Sequence, residues 1–150
     1  MDEIQRTVDI SASPEVVFAL VSDLERMGEF SPENTGGEWV RGATGPNVGA
    51  RFKGTNARGG HNWSTIATVA TYLVPTEFAF EVSAGPFKVA RWSYAIAATH
   101  DGCRVTETSV DRRGRLLKMF ERGGDDRAAF TAESIEHTLA NIKATCERSG

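Results

Sequence analysis

Cysteine is scarce in this sequence of 150 residues: Cys103 and Cys146 are the only two. Two cysteines cannot make a disulfide scaffold, and they lack the spacing of a metal site. No run approaches the roughly 18 apolar residues that a membrane-spanning helix needs. The amino terminus, Met1 to Arg6, is charged with no apolar run behind it, which predicts no signal peptide and a cytoplasmic protein. Net positive charge is absent too. A formal charge of −3, with 25% charged residues, argues against a nucleic-acid partner and against a disordered chain. Internal repeats, low-complexity tracts and linkers are missing, so a single domain over 1–150 is expected.

What remains is 40% hydrophobic content and one long stretch free of Gly and Pro, Asp125 to Arg148. Ala128, Ile135, Leu139, Ile142 and Cys146 form one stripe at helical spacing, with Thr131 and Thr138 beside it. Asp125 and Asp126 suit a helix N-terminus, and Lys143 and Arg148 suit its opposite end. A helix of about 22 residues is roughly 33 Å long, enough to cross a small domain.

Ahead of it, Ile4 to Ile10 alternates as a half-buried strand. Ser13 is a natural N-cap with Pro14 behind it, and Val17, Leu20, Val21 and Leu24 repeat at helical spacing. A second short helical piece, Leu24 to Phe30, stops before Ser31-Pro32. From Gly36 to Asp111 the texture is strands and turns, about six consecutive antiparallel strands. Arg112 to Arg122 then forms a basic, partly apolar connection. Hairpin-linked strands curl under their own twist, and one face of the curl needs a cover. The expected fold is therefore α+β, a curved antiparallel sheet gripping a C-terminal helix.

The pair Asp101-Gly102 is read as the two-residue turn of the last hairpin. That register sets Ile96 opposite Glu107 and Tyr94 opposite Ser109, and cross-strand partners share a face. Trp92, Tyr94, Ile96, Val105, Glu107 and Ser109 then point inward. The same alternation places Phe52, Asn56, Trp63, Phe78 and Phe80 inward on their strands. Arg127, Thr131, Ser134 and Thr138 share a flank of the helix. Such an aromatic interior with a few polar groups is how small-molecule pockets are built, whereas a core made only for stability is mostly aliphatic. A salt bridge from Glu107 to a neighbouring Arg, or from Arg127 to a nearby carboxylate, would explain either residue without function.

Among the other chemical candidates, His61, His100 and His137 make no metal pattern, and only His61 sits at the expected pocket mouth. No nucleophile elbow and no phosphate loop is present. Both cysteines should face the core at the same end of the grip, as free thiols.

The run from Ile10 to Asp23 resembles the opening strand-to-helix motif of the START/polyketide-cyclase helix-grip superfamily, also labelled SRPBCC. Val48 to Gly54, Trp92 to Tyr94, Cys103 to Glu107 and Thr138 to Ala144 add to the resemblance, which covers essentially the whole chain. It implies a seven-stranded antiparallel sheet around the C-terminal helix, with a hydrophobic cavity between them. Members include lipid and hormone carriers, polyketide aromatases and cyclases, and co-chaperone modules, so the fold does not settle the chemistry. The expected function is binding of a hydrophobic small molecule as carrier or sensor, with no cofactor and no metal. Phe52, Asn56, Trp63, Phe78, Phe80, Trp92, Tyr94, Glu107, Arg127, Thr131, Ser134 and Thr138 are the candidate ligand contacts. The alternative is a polyketide cyclase or dehydratase in which Glu107 and Tyr94 handle protons. A protein-interaction module is the weaker alternative, and a homodimer is left open.

Overall fold

The computed structural model describes residues 3–32, 34–114 and 124–149, with side chains of the last helix described from 129 to 148. Strand β1 (Glu3–Ile10) leads into helix α1 (Pro14–Val21), a 3₁₀ helix (Leu24–Glu29), and then β2 (Asn34–Val40), β3 (Arg51–Arg58), β4 (His61–Leu73), β5 (Glu77–Ala84), β6 (Phe87–Thr99) and β7 (Gly102–Asp111). Helix α2 (Gly124–Ser149) follows. All seven strands form one antiparallel sheet in the order β1-β7-β6-β5-β4-β3-β2.

Local chemistry explains the short elements. Ser13 caps α1 by accepting from the Val16 amide at 3.3 Å, and Pro14 occupies the first turn. Val17, Phe18, Leu20 and Val21 are buried, so α1 closes one end of the curl against β5, β6 and α2. Gly59 and Gly60, with φ of 57° and 79°, make the β3–β4 turn. Two consecutive left-handed residues give a turn whose twist matches the flanking strands. Strand β3 therefore stays paired to its last residue, with Arg58 opposite His61.

The last hairpin differs from the sequence expectation. Its turn is His100-Asp101, and Gly102 is already paired with Thr99. Tyr94 thus faces Glu107, and Ile96 faces Val105. The physical reason is packing, since a Cβ at Gly102 would collide with the Ile10 carbonyl oxygen. Gly102 permits close approach of the β1 end instead of forming the turn. The slip is two residues, so each side chain keeps its expected face.

Helix α2 packs on β1, α1 and β7. Ser134, Ile135, Thr138, Leu139, Ile142 and Cys146 form its buried stripe. Its C-terminal half is tied down at several points. Asn141 Nδ2 donates to the Phe30 carbonyl at 2.8 Å, and Lys143 Nζ donates to the Asp9 carbonyl at 2.7 Å. The Ser11 amide donates to Glu147 Oε2 at 2.9 Å, while Lys143 pairs with that carboxylate at 2.7 Å. Cys103 and Cys146 are both free and buried in the same core. Burial raises both thiols, and Cys103 is close enough for its charge to raise Cys146 further.

Phe78 anchors the core, with 0% of its surface exposed and the rings of Phe18, Tyr72 and Phe80 around it at 5.7–6.4 Å. Phe78→Ala is expected to cost about 3–5 kcal/mol, read from the urea midpoint. Phe87→Ala, at a 53% exposed ring, should stay within about 0.5 kcal/mol of the parent. Similar losses for the two would show that the core is not centred where the fold places it.

Candidate functional site

Strands β6 and β7 bring Tyr94 and Glu107 together on the inner face as a cross-strand pair. The Tyr94 hydroxyl donates to Glu107 Oε2 at 3.0 Å. Both residues are only 2% exposed. The other carboxyl oxygen, Oε1, is buried and has no hydrogen-bond partner among the described residues. Strand β1 sets Arg6 beside Glu107 on the other side, which would be the natural place for a neutralising cation. Its guanidinium turns outward instead, to Glu136 at 3.5 Å and the Gln5 carbonyl at 2.8 Å. The expected alternative of a Glu107–Arg salt bridge is therefore not found among the described residues.

Electrostatics follow from this isolation. Desolvation raises the Glu107 carboxyl to about 8, with the Tyr94 hydrogen bond acting in the opposite direction. Desolvation, and then the Glu107 charge, pushes the Tyr94 phenol well above its usual value. At neutral pH the pair is a phenol bonded to an uncharged carboxylic acid. A buried acid of this kind can donate a hydrogen bond that a carboxylate cannot.

Around the pair the inner face is aromatic. Phe78 lies opposite Tyr94, and Phe80 lies opposite Trp92. Trp63 lies opposite Asn56, whose Nδ2 reaches Thr65 Oγ1 at 3.4 Å. The sequence-expected residues fall into two groups by exposure. Phe52, Phe78, Tyr94, Glu107, Ser134 and Thr138 are buried. Asn56, Trp63, Phe80 and Trp92 share the inner face but retain exposed surface, and Thr131 on α2 is partly exposed. The Arg127 side chain lies outside the described residues.

Ser109, expected inward, is buried on β7. Sequence reasoning left out three neighbours of this face. Trp39 meets Phe52 edge-on, with ring centroids 5.3 Å apart. Arg58 and Phe130 meet at the end of the β3–β4 hairpin, with the guanidinium carbon 3.7 Å from the ring centroid. Helical spacing back from Ser134 reaches Phe130, whereas alternation from Phe52 through Asn56 reaches Arg58 only if the strand continues to the glycine turn. His61 is exposed and stacks on Trp63 at 5.6 Å. A separate open cleft of about 570 Å³ lies in the β2–β3 loop, lined by Arg41, Thr44, Asn47 and Arg51 among others, with no aromatic side chain. Among the described residues, no group of acidic, His and Cys side chains could hold a metal, and no helix is long and apolar enough to cross a membrane.

The buried acid has a measurable consequence. Its carboxyl is raised from about 4.5 to about 8, so its stabilising effect is fully present below about 4.5 and is lost as pH rises through about 8. At about 1.4 kcal/mol per pH unit, the whole window is worth on the order of 5 kcal/mol. The Tm of the parent should fall between pH 5.5 and 8.5. Glu107→Gln keeps an acceptor for Tyr94 and does not titrate, so its Tm should change much less over that range. Equal slopes would show that Glu107 is solvated or paired.

Comparisons with known proteins agree on the architecture. The di-domain ARO/CYC protein StfQ of the steffimycin biosynthetic pathway superimposes with a TM-score of 0.77 at 11% identity, over 98% of this chain and 51% of that one. The chain thus spans about half the length of that protein. Major latex-like protein 151 from Panax ginseng gives 0.72 at 14% identity over 97% of both chains. The polyketide-cyclase-like protein Cgl2372 from Corynebacterium glutamicum gives 0.60 at 27% identity, covering 94% of this chain and 88% of that one. No curated protein matches the sequence. The helix-grip architecture described above is shared with these structures, and the family model described as polyketide cyclase / dehydrase and lipid transport matches residues 1–147, so the chain belongs to that family.

Proposed function

We propose that this protein binds a hydrophobic small molecule between the inner face of the sheet and α2, as a carrier or sensor. One observation carries the reading. Trp63, Phe80 and Trp92 face inward yet keep exposed surface, while the residues beneath them are sealed. Large aromatic surface left open inside a fold is available to an apolar ligand, and its removal from water supplies about 25 cal/mol per Å². The family description, which joins polyketide processing with lipid transport, supports a hydrophobic ligand. Glu107 and Tyr94 form the floor beneath these rings, and Asn56 and Thr131 supply polar groups at its side.

A second reading has its own support. A carboxyl titrating at about 8, bonded to a phenol, is poised for proton transfer near neutral pH. In a cyclase or dehydratase, Glu107 would act as the acid and Tyr94 would orient it. Both are sealed, so this chemistry requires the floor to open when substrate binds. That requirement places the carrier reading first.

The neutral fluorophore N-phenyl-1-naphthylamine tests the binding reading. All three tryptophans, Trp39, Trp63 and Trp92, lie on the inner face, so binding should quench their emission and brighten the probe. At a hundredfold excess over Kd the stabilisation is about 2.7 kcal/mol, which raises Tm by roughly 5–10 °C in a chain of this size. Trp63→Ala should weaken binding at least several-fold. Unchanged tryptophan emission and Tm would refute the reading.

A further inference from the structure

Most arginines with a described partner are satisfied by a carboxylate. Arg26, Arg91, Arg104 and Arg113 each meet one within 3.1 Å, and Arg6 and Arg112 meet theirs at 3.5 and 3.8 Å. Arg58 differs. It has no carboxylate within salt-bridge distance among the described residues, although it stands on the inner face of the sheet. Arg41, Arg51 and Arg148 also lack such a partner, but Arg41 is in the β2–β3 loop, Arg51 alternates to the outer face, and Arg148 is exposed at the end of α2, where it donates to Thr145 Oγ1 at 3.4 Å.

The placement of Arg58 comes from the Gly59-Gly60 turn. Because β3 is paired through to its last residue, Arg58 continues the inward series Phe52, Gly54, Asn56. It stands two residues, about 7 Å, beyond the Asn56–Trp63 pair. There its guanidinium carbon lies over the Phe130 ring of α2, 3.7 Å from the centroid, a separation that only a stacked guanidinium fits comfortably. Stacking on a ring occupies the flat face of a guanidinium and limits its rotation. The N–H donors lie in the plane, along the edge, and stacking leaves them available. An immobilised fork of donors is the geometry that pairs with a carboxylate through two parallel hydrogen bonds. Arg58 is exposed to solvent, so an anion there keeps its hydration on one side.

We infer that Arg58, clamped on Phe130, is a binding site for the carboxylate of an amphipathic ligand whose apolar body lies over Trp63 and the aromatic inner face. The inference rests on the binding reading above and narrows its ligand class to carboxylic acids with a large apolar body. The acid group sits at the rim, where water and Arg58 solvate it. The body alone enters the interior, which suits a floor that holds an uncharged Glu107. A ligand carboxylate at the floor would instead lose its water in apolar surroundings, with no cation beside it among the described residues.

A matched pair of probes separates the two claims. 1-Pyrenebutyrate and 1-pyrenebutanol share their aromatic body and differ in the head group, and energy transfer from tryptophan reports both. The parent should bind pyrenebutyrate roughly tenfold more tightly than pyrenebutanol, as expected for one charge-assisted bidentate contact at the surface. Arg58→Leu should erase that preference, weakening pyrenebutyrate about tenfold and changing pyrenebutanol less than about twofold. Arg58→Lys should fall between them, because it restores charge without the planar fork. Raising salt from about 50 to 500 mM should weaken pyrenebutyrate in the parent and not in Arg58→Leu. Pyrenebutanol binding with no preference for the carboxylate, or Arg58→Leu weakening both probes equally, would overturn the role of Arg58 and leave the binding reading standing. If neither probe binds the parent, the binding reading falls and the Arg58 site with it.

Discussion

One helix has to cover a seven-stranded sheet, and it cannot. Seven strands at about 4.8 Å spacing make a sheet roughly 29 Å wide, while a helix with its side chains is about 10–12 Å across. Curling the sheet narrows the gap without closing it. Helix α2 settles on β1 and β7, where Lys143, Glu147 and Asn141 fix its C-terminal half. Helix α1 and the 3₁₀ helix fill one end of the curl with Phe18, Leu24, Met27 and Phe30. The remaining inner face, on β3 to β6, is filled in part by large aromatic rings, and Trp63, Phe80 and Trp92 are left with surface to spare. The proposed site is what this mismatch of widths leaves over.

The same constraint isolates Glu107. A carboxylate on the inner face of β7 lies under the best-covered part of the sheet, so it loses water. Arg6, the cation that the register sets beside it, is on an edge strand and reaches solvent and Glu136 more easily than the interior. Tyr94 supplies one hydrogen bond, which stabilises the pair by less than desolvation costs, and the carboxyl keeps its proton. A leucine at this position would avoid the cost altogether. An acid there costs stability, which accords with the proposed binding role.

Much of this was legible in the sequence because period-two alternation survives errors of register. The last hairpin turns at His100-Asp101 and not at Asp101-Gly102, yet a slip of two left every face assignment intact. A slip of one would have turned Glu107 to solvent on paper. The long helix and its buried stripe were equally plain, since Ile135, Leu139, Ile142 and Cys146 have no competing period. Arg58 was hidden because a turn bounded by Arg-Gly-Gly reads as loop, and the ladder continuing through it depends on glycine φ values that no pattern displays. Irregularities between Val69 and Thr71 and between Val82 and Ser83 are likewise set by tertiary fit, not by any local signal. Exposure was the least legible property. Phe78 and Phe80 read alike in sequence, and only packing makes the first a sealed core residue and the second half-open.

An acid stays neutral here only if the interior is dry. The most direct test is a pH titration of the Glu107 side-chain carboxyl by carbon-13 NMR, assigned by its loss in Glu107→Gln. The structure predicts a midpoint at about 8, far above the 4.5 of a solvated glutamate. A midpoint near 4.5 would mean that water or a cation reaches the carboxyl, and the enclosed interior described here would be contradicted.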